Sequence, residues 1–153
     1  MESGNYTSSL MFGVQWDLVL KYLETKGTSQ IDLKTDSTSW GNYKNNPWNI
    51  INDDVKYKNG STWTSGVAYG TKDSDSSILL STGASDTFSK QGIYDLAGNV
   101  WEWTLEKTSF TSRPCAYRGG VYNKGGDVYP AFYRGYESTK SYYIGVGIRV
   151  SLF

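Results

Sequence analysis

Apolar residues fall into a regular pattern at a few places along the chain and are scattered elsewhere. Phe12, Trp16, Val19, Leu20 and Leu23 recur at helical spacing, which places them on one face and predicts a helix over 12–23. Lys26 and Gly27 supply its stop, since glycine takes the left-handed position after a helix without steric cost. Phe12 stands where a side-chain cap belongs, so Ser8 or Ser9 is expected to cap one turn earlier. At the other end Ile144, Val146, Ile148, Val150 and Leu152 alternate with Gly145, Gly147, Arg149 and Ser151. That period puts the apolar residues on one face and predicts one C-terminal strand tucked into the core sheet. Trp101, Trp103 and Leu105 alternate in the same way and predict a second strand.

Between Gly27 and Ser89 turn chemistry dominates: Trp40-Gly-Asn-Tyr, Asn45-Asn-Pro-Trp, Asn59-Gly-Ser and Ser65-Gly. Asn59-Gly60, between Val55-Lys-Tyr-Lys and Ser61-Thr-Trp-Thr, predicts a β-hairpin. The rest of this stretch reads as long ordered loop, because the aromatic residues between Trp40 and Tyr69 argue against disorder. No repeat at a solenoid period and no linker divide the chain. The expectation is a polar, mobile segment over 1–9 and a single domain over 10–153.

The 153 residues suffice for one core. Seventeen glycines and three prolines beside 6 Trp, 13 Tyr and 5 Phe point to a loop-rich fold whose core relies on aromatic side chains. Fifteen basic and 15 acidic residues give a net charge of zero, so nucleic-acid binding through a basic patch is not expected. No apolar run approaches the roughly 20 residues that span a bilayer, and membrane insertion is not expected. A charged segment followed by an apolar stretch, the mark of a signal peptide, is not seen at the start. Zero histidines and one cysteine, Cys115, exclude an internal disulfide, histidine-held zinc, iron or haem, and Ser-His-Asp or Cys-His nucleophiles. Oxygen ligands for a hard cation remain.

Three blocks carry a resemblance: Asp95-Leu-Ala-Gly-Asn-Val-Trp-Glu-Trp, Arg118-Gly-Gly and Gly147-Ile-Arg-Val. In this order they resemble the sulfatase-modifying-factor family, which includes the formylglycine-generating enzymes. The segment from Leu10 to Trp16 is similar to a helix of that family, and between residues 27 and 92 little aligns. The resemblance implies an α+β, C-type-lectin-like fold with little regular secondary structure and long loops. It also implies that Asp95, Gly98, Val100 and Glu102 match positions holding a structural calcium. Two carboxylates and two carbonyls around a glycine turn make a plausible oxygen cage; the alternative is that Asp95 and Glu102 cap turns or pair with Arg118. Asn99 reads as a turn former beside Gly98. Asp53, Asp54, Asp73 and Asp75 read as a solvated acidic set.

The family's oxidases use a thiol pair with copper, and another branch uses histidine-bound iron. One cysteine and no histidine leave neither, so no copper, iron or zinc is expected. Cys115 reads as a half-buried apolar residue. The loop from Gly119 to Ile144, which faces substrate in the family, is rich in tyrosine, glycine, serine and asparagine, the composition of antibody binding loops. It resembles the variable segment of proteins diversified by retroelements. Candidate ligand-binding residues are Tyr122, Asn123, Asp127, Tyr129, Phe132, Tyr133, Tyr136, Tyr142 and Tyr143, with Tyr122 and Tyr133 the ones best placed to fill core instead. Arg134 and Arg149 are expected to brace loops. The sequence therefore predicts a non-catalytic module, on a phage particle or an exported bacterial surface protein, that holds a protein or glycan. An oxidoreductase with rebuilt chemistry and a structural domain of a larger assembly stay open as alternatives, as does oligomerisation.

Overall fold

The computed structural model describes residues 7–50, 52, 54–65, 70–138 and 140–152. Helix α1 spans Gly13–Thr25 and buries Trp16, Leu20 and Leu23, with Val19 packed against the same cluster. Phe12 is not on that face: it is the residue before the helix and stays exposed. Its N–H is satisfied by Gln15 Oε1 at 2.8 Å. The expected serine cap is corrected, because Ser8 and Ser9 lie in a strand and Ser9 Oγ donates to Leu10 O. At the far end Gly27 has φ +95°, and its N–H and that of Thr28 donate to Glu24 O and Leu23 O, closing the helix with a Schellman motif.

A second helix, α2 at Gln30–Lys34, was not predicted. It is too short for periodicity to show, and its signal is local: Ser29 accepts from Asp32 N–H as an N-cap. Irregular chain then carries the short strands β2 (Trp48–Asn49), β3 (Lys56–Asn59), β4 (Thr62–Ser65) and β5 (Thr71–Lys72). β3 and β4 form the predicted hairpin, with Asn59 opposite Thr62 and Gly60 at φ +58°, so the turn sits one residue later than expected. Tyr69 and Asp53 lie outside the described residues, as do 1–6 of the N-terminal segment; Ser8–Leu10 form strand β1. Asp54, Asp73 and Asp75 are exposed, as expected.

After the small hairpin β6–β7 (Ser89–Lys90, Ile93–Tyr94) comes β8 (Trp101–Lys107), then β9 (Cys115–Arg118), β10 (Arg134–Glu137), β11 (Val146–Ile148) and β12 (Val150–Leu152). Four of these make the main sheet in the order β10-β9-β8-β11, in which β11 runs parallel to β8. The single C-terminal strand is corrected: it divides at Arg149, and β12 leaves the sheet to pair with β1. Its apolar side is not in the core. Ile144, Ile148, Val150 and Leu152 are exposed. The mixed helix and strand content is that of an α+β fold.

Two apolar clusters hold the chain. One gathers Trp16, Leu20, Leu23, Leu33, Trp40, Tyr43 and Leu96 beneath α1, and the other gathers Ile50, Val55, Leu80 and Phe88 under the irregular middle. Trp16 also donates from Nε1 to Ala131 O at 3.1 Å, tying α1 to the aromatic loop. The middle segment closes around Lys72, whose buried ammonium donates to the carbonyls of Lys44, Asn46 and Asp73. Burial pulls that ammonium down to about 8, and the nearby carboxylates of Asp75 and Asp73 work against the fall. This cation replaces hydrogen bonds that an irregular backbone cannot make with itself.

Candidate functional site

Strand β8 turns its sequence pattern in an unexpected direction. Glu102 and Thr104 are buried, whereas Trp101 and Trp103 are half-buried and Leu105 is exposed. The polar side can face inward because each of its groups finds a partner on β9, on β10 or at Arg149. Thr104 Oγ1 donates to Ala116 O, Glu102 takes Arg149, and Glu106 takes Arg134. The aromatic side is left on the outer face. Register places Tyr117 and Ile148 beside Trp103 and Val146 beside Trp101, and paired residues share a face. Tyr129 and Tyr133 fold over this face: Trp101 lies 5.0 Å from Tyr117 and 5.6 Å from Tyr129, and Tyr129 lies 4.7 Å from Tyr133. Burial raises the phenols of Tyr117 and Tyr133 above their ordinary range, so both stay protonated.

Gly135 permits this packing. A Cβ there would collide with the Tyr117 ring. Gly135→Ala is expected to cost about 1–3 kcal/mol, the range for overpacking, and to weaken the near-ultraviolet circular dichroism of the aromatic cluster. An unchanged aromatic spectrum would mean that Tyr117 is free to move away.

Next to the cluster a surface groove of about 530 Å³ is lined by Trp101, Tyr122, Asn123, Tyr142, Tyr143 and Ile144, among others. Tyr142 is 88 % exposed and Tyr143 is 50 % exposed. Glu137 arranges this rim: its carboxylate accepts from Ser138 N–H, Ser141 Oγ and the Tyr143 phenol. These hydrogen bonds, that of Ser138 first, hold the Glu137 carboxyl below its usual range. Four of the nine predicted ligand residues, Tyr122, Asn123, Tyr142 and Tyr143, thus meet at one groove. Tyr129 and Tyr133 brace it from the aromatic cluster through Trp101. Tyr136 stacks on Phe110 at 4.5 Å under Arg113, and Asp127 accepts from Asn45 Nδ2. Phe132 lines a different cleft, below α1 and α2.

Trp101, Tyr117 and Glu137 were missed as contributors to the site. For Trp101 the signal was present, since a strand alternating Trp with Glu must expose one set; which set depends on the partners of the carboxylates. Glu137 carried no sequence signal, because its role rests on a turn four to six residues long.

The Asp95–Glu102 segment is framework. Asp95, Leu96, Ala97, Gly98 and Asn99 are all buried. Asn99 has φ +59°, as its place beside Gly98 predicts, and its side-chain amide bonds both Leu80 N–H and Leu80 C=O. A Cβ at Gly98 would strike the backbone of Asn42. Both oxygens of Glu102 are taken by Arg149 at 2.7 Å, and Asp95 Oδ2 accepts from Gly83 N–H. The partner of Glu102 is therefore Arg149 rather than Arg118. Arranged this way, Glu102 could contribute to an oxygen cage only by sharing its carboxylate with the Arg149 guanidinium. Among the described residues no group of three or more acidic, cysteine or histidine side chains is placed to hold a metal.

Cys115 is half-buried in β9, as expected of an apolar filler. No helix among the described residues is long and apolar enough to cross a membrane. No match was found among curated proteins or among solved structures. A family model, the Sulfatase-modifying factor enzyme 1-like domain, matches residues 16–151. That span takes in the middle region whose sequence aligned poorly by motif. The match covers the helix, both cores, the aromatic sheet face and the groove, so the chain belongs to the sulfatase-modifying factor family.

Proposed function

We propose that this domain is a non-catalytic binding module on a C-type-lectin-like scaffold, presenting the tyrosine-rich groove to a protein or glycan. The observation that carries this reading is the convergence of Tyr122, Asn123, Tyr142 and Tyr143 on one accessible groove, held by a packed aromatic base. Phenols give broad contact area with few rotors to freeze, and Glu137 holds the Tyr143 phenol before contact, which lowers the ordering cost of binding. The sequence supports it from the other side: one cysteine and no histidine supply neither a thiol pair nor an imidazole-held metal. Retroelement-driven variation of this rim, and a place on a phage particle or an exported surface protein, accord with a rim on which Tyr142 and Tyr143 stay exposed.

The test is a screen of the purified chain against a displayed peptide library and a glycan array, repeated with Tyr142→Ala plus Tyr143→Ala. Specific hits are expected, and the double variant is expected to weaken them at least about a hundredfold, as loss of two aromatic anchors does. Its unfolding midpoint should stay unchanged. Hits that survive the double change would place the site elsewhere. Incubation with copper and a cysteine-containing peptide is expected to give no turnover, and turnover would restore the oxidoreductase reading.

A second reading is favoured by the outer sheet face, where Leu105 and Ile148 lie exposed beside Trp103. A structural domain would bury this face against another chain.

A further inference from the structure

The tyrosine groove has a charge balance that its aromatic composition hides. Its walls come from two segments, Val121 to Lys124 and Tyr142 to Gly145, together with Trp101 of β8. Among the described residues Lys124 is the charged side chain of that lining, and it is exposed. It makes no ion pair among the described residues. Lys140, two positions before Tyr142, is likewise exposed and outside any ion pair among the described residues.

The carboxylates on the neighbouring segments are already engaged. Glu137 accepts from Ser138 N–H, Ser141 Oγ and the Tyr143 phenol. Glu102, one residue beyond Trp101, is buried against Arg149. Asp127 accepts from Asn45 Nδ2. The chain beside Lys124 is that of Lys44, whose N–H donates to Lys124 O at 2.9 Å, and the acid there, Asp75, lies 3.7 Å from the Lys44 ammonium. No acid of these segments is left over for Lys124. The apolar lining is equally open: Ile144 is 70 % exposed and follows directly on the exposed Tyr142 and Tyr143.

Two requirements follow for an occupant. An apolar side chain must cover Ile144 and the rings, and an anionic group must come within reach of Lys124. A neutral or basic partner would strip water from that ammonium and return nothing for it. A saccharide would set hydroxyls against Ile144, which offers them no hydrogen bond. Adjacent residues of a peptide meet both requirements at once.

Resting on the reading of this groove as the binding site, we propose that its partner is a protein segment in which an acidic residue stands next to an apolar one. The apolar side chain packs on Ile144 and the Tyr142 and Tyr143 rings, and the carboxylate meets Lys124. The rings supply contact area, and Lys124 selects among partners by charge.

Selection of a displayed random-peptide library on the purified chain is expected to enrich Asp or Glu beside Leu, Ile or Phe. The same selection on Lys124→Glu is expected to enrich Lys or Arg instead, with an unchanged unfolding midpoint because the side chain is exposed. A synthetic peptide from the first selection should bind Lys124→Glu at least about tenfold more weakly, since attraction becomes repulsion, and should bind wild type more weakly as salt rises. Changing its acid to the amide should weaken binding to wild type by about threefold and leave binding to Lys124→Met unchanged, which marks a direct contact. Peptides that need Tyr142 and Tyr143 but carry no acid, the same acidic enrichment on Lys124→Glu, or hits confined to acidic glycans would overturn this inference and leave the groove in place. Acidic hits indifferent to Tyr142→Ala plus Tyr143→Ala would overturn both.

Discussion

Replacing Arg149 by methionine is expected to destabilise the domain by about 3 kcal/mol, the lower end of the range for breaking a buried ion pair. The lower end applies because the Arg149 side chain keeps 23 % of its surface exposed while that of Glu102 keeps 6 %. Most of the loss comes from Glu102, left charged on the inner face of β8 without its bidentate partner, and the Tyr94 carbonyl loses its donor as well. The pH dependence identifies the cause. Burial raises the Glu102 carboxyl above its ordinary value, and the guanidinium works against that rise. Without Arg149 the carboxyl rises further. A carboxyl raised in the folded state contributes stability that is present below the unfolded pKa of about 4.3 and lost as pH climbs through the folded value. The deficit of the variant should therefore shrink as pH falls from neutral toward about 4.5. Adding Glu102→Gln should recover part of it at neutral pH. Denaturant unfolding of wild type and the two variants across pH decides this, and a deficit that ignores pH would place the damage in packing. Calcium is expected to leave the wild-type unfolding midpoint where it is, since Arg149 already neutralises Glu102.

Asn99→Ala is expected to cost about 3–7 kcal/mol, from two additive sources. Alanine is strained at φ +59° by about 1 kcal/mol. The larger share is the amide, whose loss orphans both the N–H and the C=O of buried Leu80, at about 1–3 kcal/mol for each unsatisfied group. Asn42 loses one acceptor and keeps another, the Ile78 carbonyl. Asn99→Gly relieves the backbone strain alone, so it should be more stable than the alanine variant by about 1 kcal/mol and still far below wild type. Equal stability of the glycine variant and wild type would mean that the amide network contributes nothing. In the folded chain this network joins the irregular middle to the Asp95–Glu102 segment, so the second apolar cluster around Leu80 is expected to loosen first.

Where a single residue decides its own conformation, the sequence was sufficient. The α1 face at Trp16, Leu20 and Leu23, the Gly27 stop, the Asn59-Gly60 hairpin and the left-handed Asn99 all follow from local sterics and periodicity. The family was likewise written in contiguous motifs, and its match runs through residues 16–151. What the order of residues could not fix was which side of an alternating strand faces inward. In Trp101-Glu-Trp-Thr-Leu the polar side faces inward, because Arg149, at the break between β11 and β12 and 47 positions later, neutralises Glu102 on the inner side. The same cause divides the C-terminal strand: Arg149 turns to Glu102, and the apolar residues around it are left outside. The predicted ligand set was read as one surface, and tertiary packing separated it. Tyr142 and Tyr143 rim a groove, Tyr129 and Tyr133 support it, and Phe132 turns to another cleft. Residues adjacent in a loop share composition, but where each side chain points is decided by the partners that distant segments bring to it.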